Sequence, residues 1–222
     1  MLLQESQWYK EVILKYIKPG SLILNIGSST KEYVEVRQPY IKYNILDELV
    51  KKKCVVKNVD IKVSEGVDIV GDIGDPLFVE RLLQMKPDAV ICGNVLEQVA
   101  DREAFSRALQ SLIGDQTLLI ISVPRAFPYH EDPIDTMYRS SLEDLTHEFP
   151  LLRLVEGKNV SGGFYFTIMA KKLSKINKLW FFFKRVIKFV LLLVTLQYSK
   201  AKEVGWSFRR VSATCAVFTH NL

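Results

Sequence analysis

Residues 125–139, RAFPYHEDPIDTMYR, gather His130, Glu131, Asp132, Asp135 and Arg139 into one short loop. An imidazole titrates near neutral pH and can take the proton of a hydroxyl group. Asp132 or Asp135 can orient it. Arg139 can hold an anionic group of a substrate or brace the loop. The plainer alternative for His130 is a hydrogen bond that orders the loop. A metal held by His130, Asp132 and Asp135 is also conceivable, but carboxylate and His sets this close are common in plain loops. His147 reads as a surface residue on the next helix.

A second group lies upstream. The stretch SLILNIGSST, residues 21–30, is an apolar run that turns at Gly27 into Ser28, Ser29 and Thr30. Glycine and small residues at a strand end let backbone N–H groups approach a ligand closely. Asp60 ends the run CVVKNV, and an acid at the tip of a second strand is placed to accept hydrogen bonds from a ribose diol. Asp72 follows the run at 67–70, and Asn94 follows the run at 89–92. These four positions fall at successive strand ends, so one ligand can meet them all.

The elements that must position these residues follow from periodicity. Trp8, Val12, Ile13, Tyr16 and Ile17 recur at helical spacing before Pro19-Gly20, which predicts a helix over 4–17. Strands are expected at 22–26, 54–59, 67–70, 89–92 and 117–123. Short helices are expected at 41–52 and 78–85, and a helix capped by Asp101 should run to about Ile113. Ser140 and Ser141 precede Glu143 and Asp144 at capping-box spacing. Residues 151–160 and 163–170 read as two further strands joined at Gly162-Gly163, and 211–219 as a last one. The sequence does not decide whether 163–170 or 211–219 completes the sheet. Strands alternating with helices predict an α/β chain with a mostly parallel sheet covered on both faces. Ligands of such sheets bind outside the carboxyl ends of the strands.

The 222 residues suit one domain. Its expected parts are an N-terminal helix (1–20), a core (21–170), a basic and hydrophobic helical insertion (171–205) and a C-terminal strand (206–222). The net charge of +5 comes without a basic and aromatic cluster in the first half, so nucleic-acid binding is not expected. Cys54, Cys92 and Cys215 lie far apart with no metal spacing, as in a reduced cytoplasmic chain. The N-terminus lacks the features of a signal peptide. Residues 175–198 carry Lys184, Arg185 and Lys188 among bulky apolar residues, too interrupted to span a bilayer. Such a helix suits a peripheral membrane contact, or it covers the domain or forms a dimer contact.

The series LNIGSST, NVDI, GVDIVGDIGDP, PDAVICGNVLEQV and LLIISVP resembles class I S-adenosylmethionine-dependent methyltransferases of the type 11 group. The resemblance covers residues 21 to about 149. FPYHEDPIDTMYRSSLEDL resembles a loop of bacterial members tied to sugar and cell-surface glycan biosynthesis. The resemblance implies a Rossmann-like seven-stranded sheet with six parallel strands and one antiparallel. It implies S-adenosylmethionine as cofactor, with Gly27, Ser28 and Ser29 against its methionine part. Asp60 would bind the ribose, Asp72 and Ile73 the adenine, while Asn94 and Val95 would line the methyl side. Three positions depart from the pattern. Asn25 replaces an acid that faces the cofactor amino group, Ser29 replaces a glycine, and Leu96-Glu97-Gln98 stands where the family has LEH.

The implied activity is O-methylation of a sugar, glycan or other small hydroxyl-bearing acceptor. His130 would be the base, with Asp132, Asp135 and Arg139 on the substrate side. The alternative is a non-catalytic module of the same fold that docks on a membrane or a partner enzyme. A nicotinamide-dependent oxidoreductase fits less well, because Gly27-Ser28-Ser29-Thr30 lacks the G-x-G-x-x-G spacing.

Overall fold

Period-2 alternation in the short apolar runs sends successive side chains to opposite faces of one sheet. In the computed structural model, which describes residues 1–130, 134–170 and 175–220, seven strands pair in the order β3-β2-β1-β4-β5-β7-β6. They are β1 (Leu22–Ile26), β2 (Val55–Asp60), β3 (Ile69–Val70), β4 (Ala89–Gly93), β5 (Leu118–Ala126), β6 (Leu152–Phe164) and β7 (Arg210–His220). β7 runs antiparallel to both β5 and β6, and the pairs among the first five strands are parallel. The expected α/β, Rossmann-like architecture of six parallel strands and one antiparallel strand is therefore present.

The alternation divides the core in two. Leu24, Ile26, Val90, Cys92, Leu119 and Ile121 face one side. There they meet α4 (Pro76–Gln84), α5 (Arg102–Ser111) and α6 (Leu142–Glu148) through Phe78, Leu82, Phe105, Leu109 and Leu145. Ile23, Ile91, Ile120, Cys215 and Val217 face the other side. They pack on Trp8, Tyr9, Val12 and Ile13 of α1 (Leu3–Tyr16). Caps start the helices where the sequence places them. Asp101 accepts from the Ala104 amide at 3.0 Å, and Ser141 and Asp144 form the expected capping box.

Between β1 and β2 the chain is helical over a longer stretch than 41–52. π-helical turns at Tyr33–Arg37 and Lys42–Leu46 flank α2 (Pro39–Ile41), and α3 (Asp47–Lys51) follows. Pro39 sits at the start of α2, where its missing N–H costs nothing.

One expectation is corrected. Residues 151–170 do not form two strands. β6 is a single strand of 13 residues that passes through Gly162, and 165–169 is the short helix α7 (Tyr165–Met169). Gly163 marks the switch: its φ of +85°, open to glycine, sits at the register shift after Ser161, and the ladder ends one residue later at Phe164. β7 then completes the sheet by inserting between β5 and β6. The excursion between β6 and β7 also holds α8 (Lys175–Val194) and α9 (Tyr198–Gly205).

Strand order reverses at β1 and β4, since the chain builds outward through β2 and β3 before returning to the other side of β1. That reversal opens a crevice at the carboxyl ends of β1 and β4.

Candidate functional site

A cleft of about 1400 Å³ occupies this crevice. Pockets for drug-sized ligands run to roughly 300–1,000 Å³, so two small molecules fit side by side. Asn25, Gly27, Ser28, Ser29, Asp60, Asp72, Ile73, Asn94, Val95 and His130 all line it. The strand-end residues and the loop histidine are thus brought to one space.

The β1 loop is tied down more firmly than its small residues suggest. The amides of Gly27 and Ser28 both donate to the Val59 carbonyl, at 2.8 and 3.2 Å. The Ser29 amide donates to Asp60 Oδ2 at 2.9 Å, and Lys62 N donates to Oδ1 at 3.0 Å. The expected free N–H groups are therefore engaged with the end of β2. The Ser28 hydroxyl is different: it is buried with no hydrogen-bond partner among the described residues. Asp60 keeps lone pairs beyond its two amide bonds, because a carboxylate accepts at about four sites. Gly27 has φ +69°, and a Cβ there would lie 2.3 Å from Val95 Cγ2. Glycine is what lets the β4 loop close over the β1 loop. Ser29 holds φ 63° without being glycine, a conformation that costs energy.

Asn25 pairs across the sheet with Asn58, donating from Nδ2 to Oδ1 at 2.9 Å. On the far side of β2, Asp72 Oδ1 accepts from Gly74 N at 2.8 Å, which shapes the turn after β3. Ile73 is buried beside it. Gly71 is required there, since a Cβ would meet the Phe78 ring at 2.2 Å.

The other wall holds residues that the sequence did not single out. Glu5 of α1 is buried and accepts from Leu2 N, Asn94 Nδ2 and Ser122 Oγ at 2.7, 2.7 and 2.6 Å. Tyr9 donates to the same Ser122 hydroxyl at 3.0 Å. Burial pushes the Tyr9 phenol well above its ordinary range. This network pins α1 onto the ends of β4 and β5 and fixes Asn94 at φ 57°. Glu97 also lines the cleft. It is wholly buried, neither carboxylate oxygen has a hydrogen-bond partner among the described residues, and burial pushes its pKa up to about 7. The signal for Glu97 was an acid directly after Leu96, four residues past the end of the buried strand β4. Nothing local marks Glu5, because a glutamate in the first turn of a helix is ordinary capping chemistry.

The loop after β5 is organised by Asp135 and Arg139. The Asp135 side chain is fully buried. It accepts from the amides of His130 and Met137 at 2.9 and 2.8 Å and from Arg139 at 2.6 and 3.0 Å. Burial opposes its ionisation, yet the guanidinium and the two amides hold the carboxyl down at about 2. Arg139 also donates to the carbonyls of Phe127, Pro128 and Tyr138. Neither Asp135 nor Arg139 lines the cleft. Of the two roles open to Arg139, the geometry has the brace, with its donors engaged inside the loop. His130 Nδ1 lies 3.0 Å from Asp135 Oδ2 but off the line of a hydrogen bond. Phe127 packs edge-on against the imidazole. Asp132 lies outside the described residues. Among the described residues no cluster of His, Cys, Asp and Glu could hold a metal ion.

No protein-family model and no curated protein matches the chain. Solved structures do. The MccD protein aligns over 97% of this chain and 97% of its own, with TM-score 0.57 and 12% identity. Coclaurine N-methyltransferase, solved with N-methylheliamine and SAH, aligns over 97% of this chain and 70% of its own, with TM-score 0.55 and 16% identity. The [4+2]-cyclase SpnF aligns over 97% and 82%, with TM-score 0.54 and 11% identity. At such identities the likeness establishes the fold, which serves an N-methyltransferase and a cyclase alike.

Proposed function

We propose that the chain is an S-adenosylmethionine-dependent methyltransferase of a small hydroxyl-bearing acceptor, a sugar or glycan of cell-surface biosynthesis, acting on the cytoplasmic side of a membrane. The observation that carries this reading is the pairing of the Asp60 carboxylate with the Ser29 amide at the reversal of strand order, across one cleft from His130. A sulfonium cofactor supplies an activated methyl group, so the protein has mainly to align the acceptor and exclude water.

The residues present fit that cofactor. Asp60 has lone pairs for the ribose hydroxyls, and Asp72 and Ile73 form the turn where the adenine belongs. The orphaned Ser28 hydroxyl, Gly27 and Ser29 would meet the methionine end, with Asn94 and Val95 opposite. On the acceptor side, Asp135 holds the His130 backbone and sits beside Nδ1. The imidazole offers a ring nitrogen to take the hydroxyl proton. Arg139 fixes Asp135. Asp132 is assigned to the acceptor side with His130.

The second reading is a non-catalytic module of the same fold. It is favoured by the amides of Gly27 and Ser28, which are already engaged with Val59, and by the Asn25–Asn58 pair where an acid would face the cofactor. Calorimetric titration with S-adenosylmethionine, alongside Asp60→Ala, separates the two. The proposal expects micromolar binding that the variant weakens at least tenfold. A folded protein that binds no cofactor at millimolar concentration would establish the module instead.

A further inference from the structure

Helix α8 carries two faces of opposite use. Its inner face packs on the excursion between β6 and β7. Phe181 stacks on Phe166 of α7 with centroids 5.6 Å apart, and Phe189 meets Phe208 at 5.8 Å. The Arg185 guanidinium lies over the Phe181 ring and reaches Met169 Sδ at 3.4 Å. Phe181, Arg185 and Phe189 recur every four residues, so the packed face is a continuous stripe.

The opposite face is apolar too. Trp180, Phe183, Ile187, Val190, Leu191 and Val194 recur at helical spacing and are 50–74% exposed. Lys184 and Lys188 border this stripe, and the Lys184 ammonium sits 5.2 Å from the Trp180 ring. Scattered exposed apolar residues are ordinary, but six in line on one helix mark an interaction face. Charge identifies what covers it. Between residues 171 and 202 the sequence has nine Lys and Arg residues and not one Asp or Glu. A second copy of this face would bring cations against cations. No helix among the described residues is long and apolar enough to cross a membrane. An apolar stripe edged only by cations matches the plane of an anionic bilayer surface, where the rings enter the acyl boundary and the lysines meet headgroups.

We propose that α8 seats this protein on anionic lipid, with the stripe from Trp180 to Val194 buried in the interface. The consequence reaches the cleft. Thr167, Ile168 and Met169 of α7 line it, and α7 is held to α8 by the Phe166–Phe181 stack. A seated α8 holds that rim of the cleft beside the lipid. This deepens the methyl-transfer reading and rests on it for one point only: the acceptor is amphiphilic, its polar part presented from the bilayer surface.

Co-sedimentation of the full chain with phosphatidylcholine vesicles, with and without one-third phosphatidylglycerol, tests the seat. Binding should require the anionic lipid and weaken steeply with salt. Ile187→Glu should lower it about tenfold, and Lys184→Glu with Lys188→Glu by a similar factor. Melting temperature and cofactor titration should stay unchanged in these variants, because Lys184, Ile187 and Lys188 lie on the outer flank of α8, with Ile187 56% exposed. Equal sedimentation with neutral and anionic vesicles, or an Ile187→Glu protein that binds like the parent, would overturn the proposal. So would a dimer that Ile187→Glu dissolves in a protein that ignores vesicles, since a second copy would then own the face. Vesicle binding without cofactor binding would support the seat while removing the methyl-transfer reading.

Discussion

At the scale of single residues, Glu97 shows how an unpartnered group reports on a site. A wholly buried carboxyl with no hydrogen bond stays protonated until about pH 7, while the unfolded chain ionises from its ordinary value of 4.5. The folded state therefore binds more protons between those values. Stability contributed at this position is whole below about pH 4.5, falls as pH rises towards 7, and is flat above that. A shift of this size corresponds to about 3 kcal/mol. Urea unfolding of the protein and of Glu97→Gln should accordingly converge near pH 5 and diverge by about 2–3 kcal/mol in favour of the variant at pH 8. A gap that is the same at both pH values would mean that Glu97 is ionised in the folded protein. Asp60 stands at the other extreme. Its carboxylate already orders the Ser29 and Lys62 amides. Asp60→Ala is thus expected to loosen the loop as well as weaken the cofactor.

At the scale of elements, the loop after β5 is a polar core in miniature. Asp135 carries the backbone of His130 and Met137 and accepts from both terminal nitrogens of Arg139. Removing one member of such a pair strands the other's charge, at a cost of about 3 kcal/mol or more. Asp135→Asn should then speed amide exchange at His130 and Met137 by at least tenfold without unfolding β5. Unchanged exchange would assign the loop's order to Phe127 and its ring contacts instead. The pH dependence has the opposite sign to that of Glu97. The Asp135 carboxyl is depressed to about 2, so its contribution is present above 3.8 and is lost as pH falls below that. The strand expected at 163–170 belongs to this scale as well. Its residues, FYFTIMA, have ordinary strand composition, but they follow Gly163 at φ +85° and form α7, with Phe166 packed on Phe181 and Phe182.

At the scale of the whole molecule, β6 and β7 are antiparallel neighbours paired up to Phe164 and Arg210, with the segment between them an excursion from what a short hairpin could join. Replacing residues 171–205 by a short turn should leave the sheet and cofactor binding in place and abolish vesicle binding. Loss of folding in that protein would show that α8 and α9 belong to the core. The sequence by itself determined the alternation of strands and helices, the caps at Asp101 and Ser141, and the strand-end placement of Gly27, Asp60, Asp72 and Asn94. Those features rest on periodicity and turn chemistry, which act over a few residues. Tertiary structure alone decided that β7 inserts between β5 and β6, that the Gly27 and Ser28 amides close on Val59, and that Glu5 of α1 meets Asn94 at the end of β4. It also decided which flank of α8 is packed and which is left open. Each of these depends on partners far apart in the chain, and no local pattern encodes a partner.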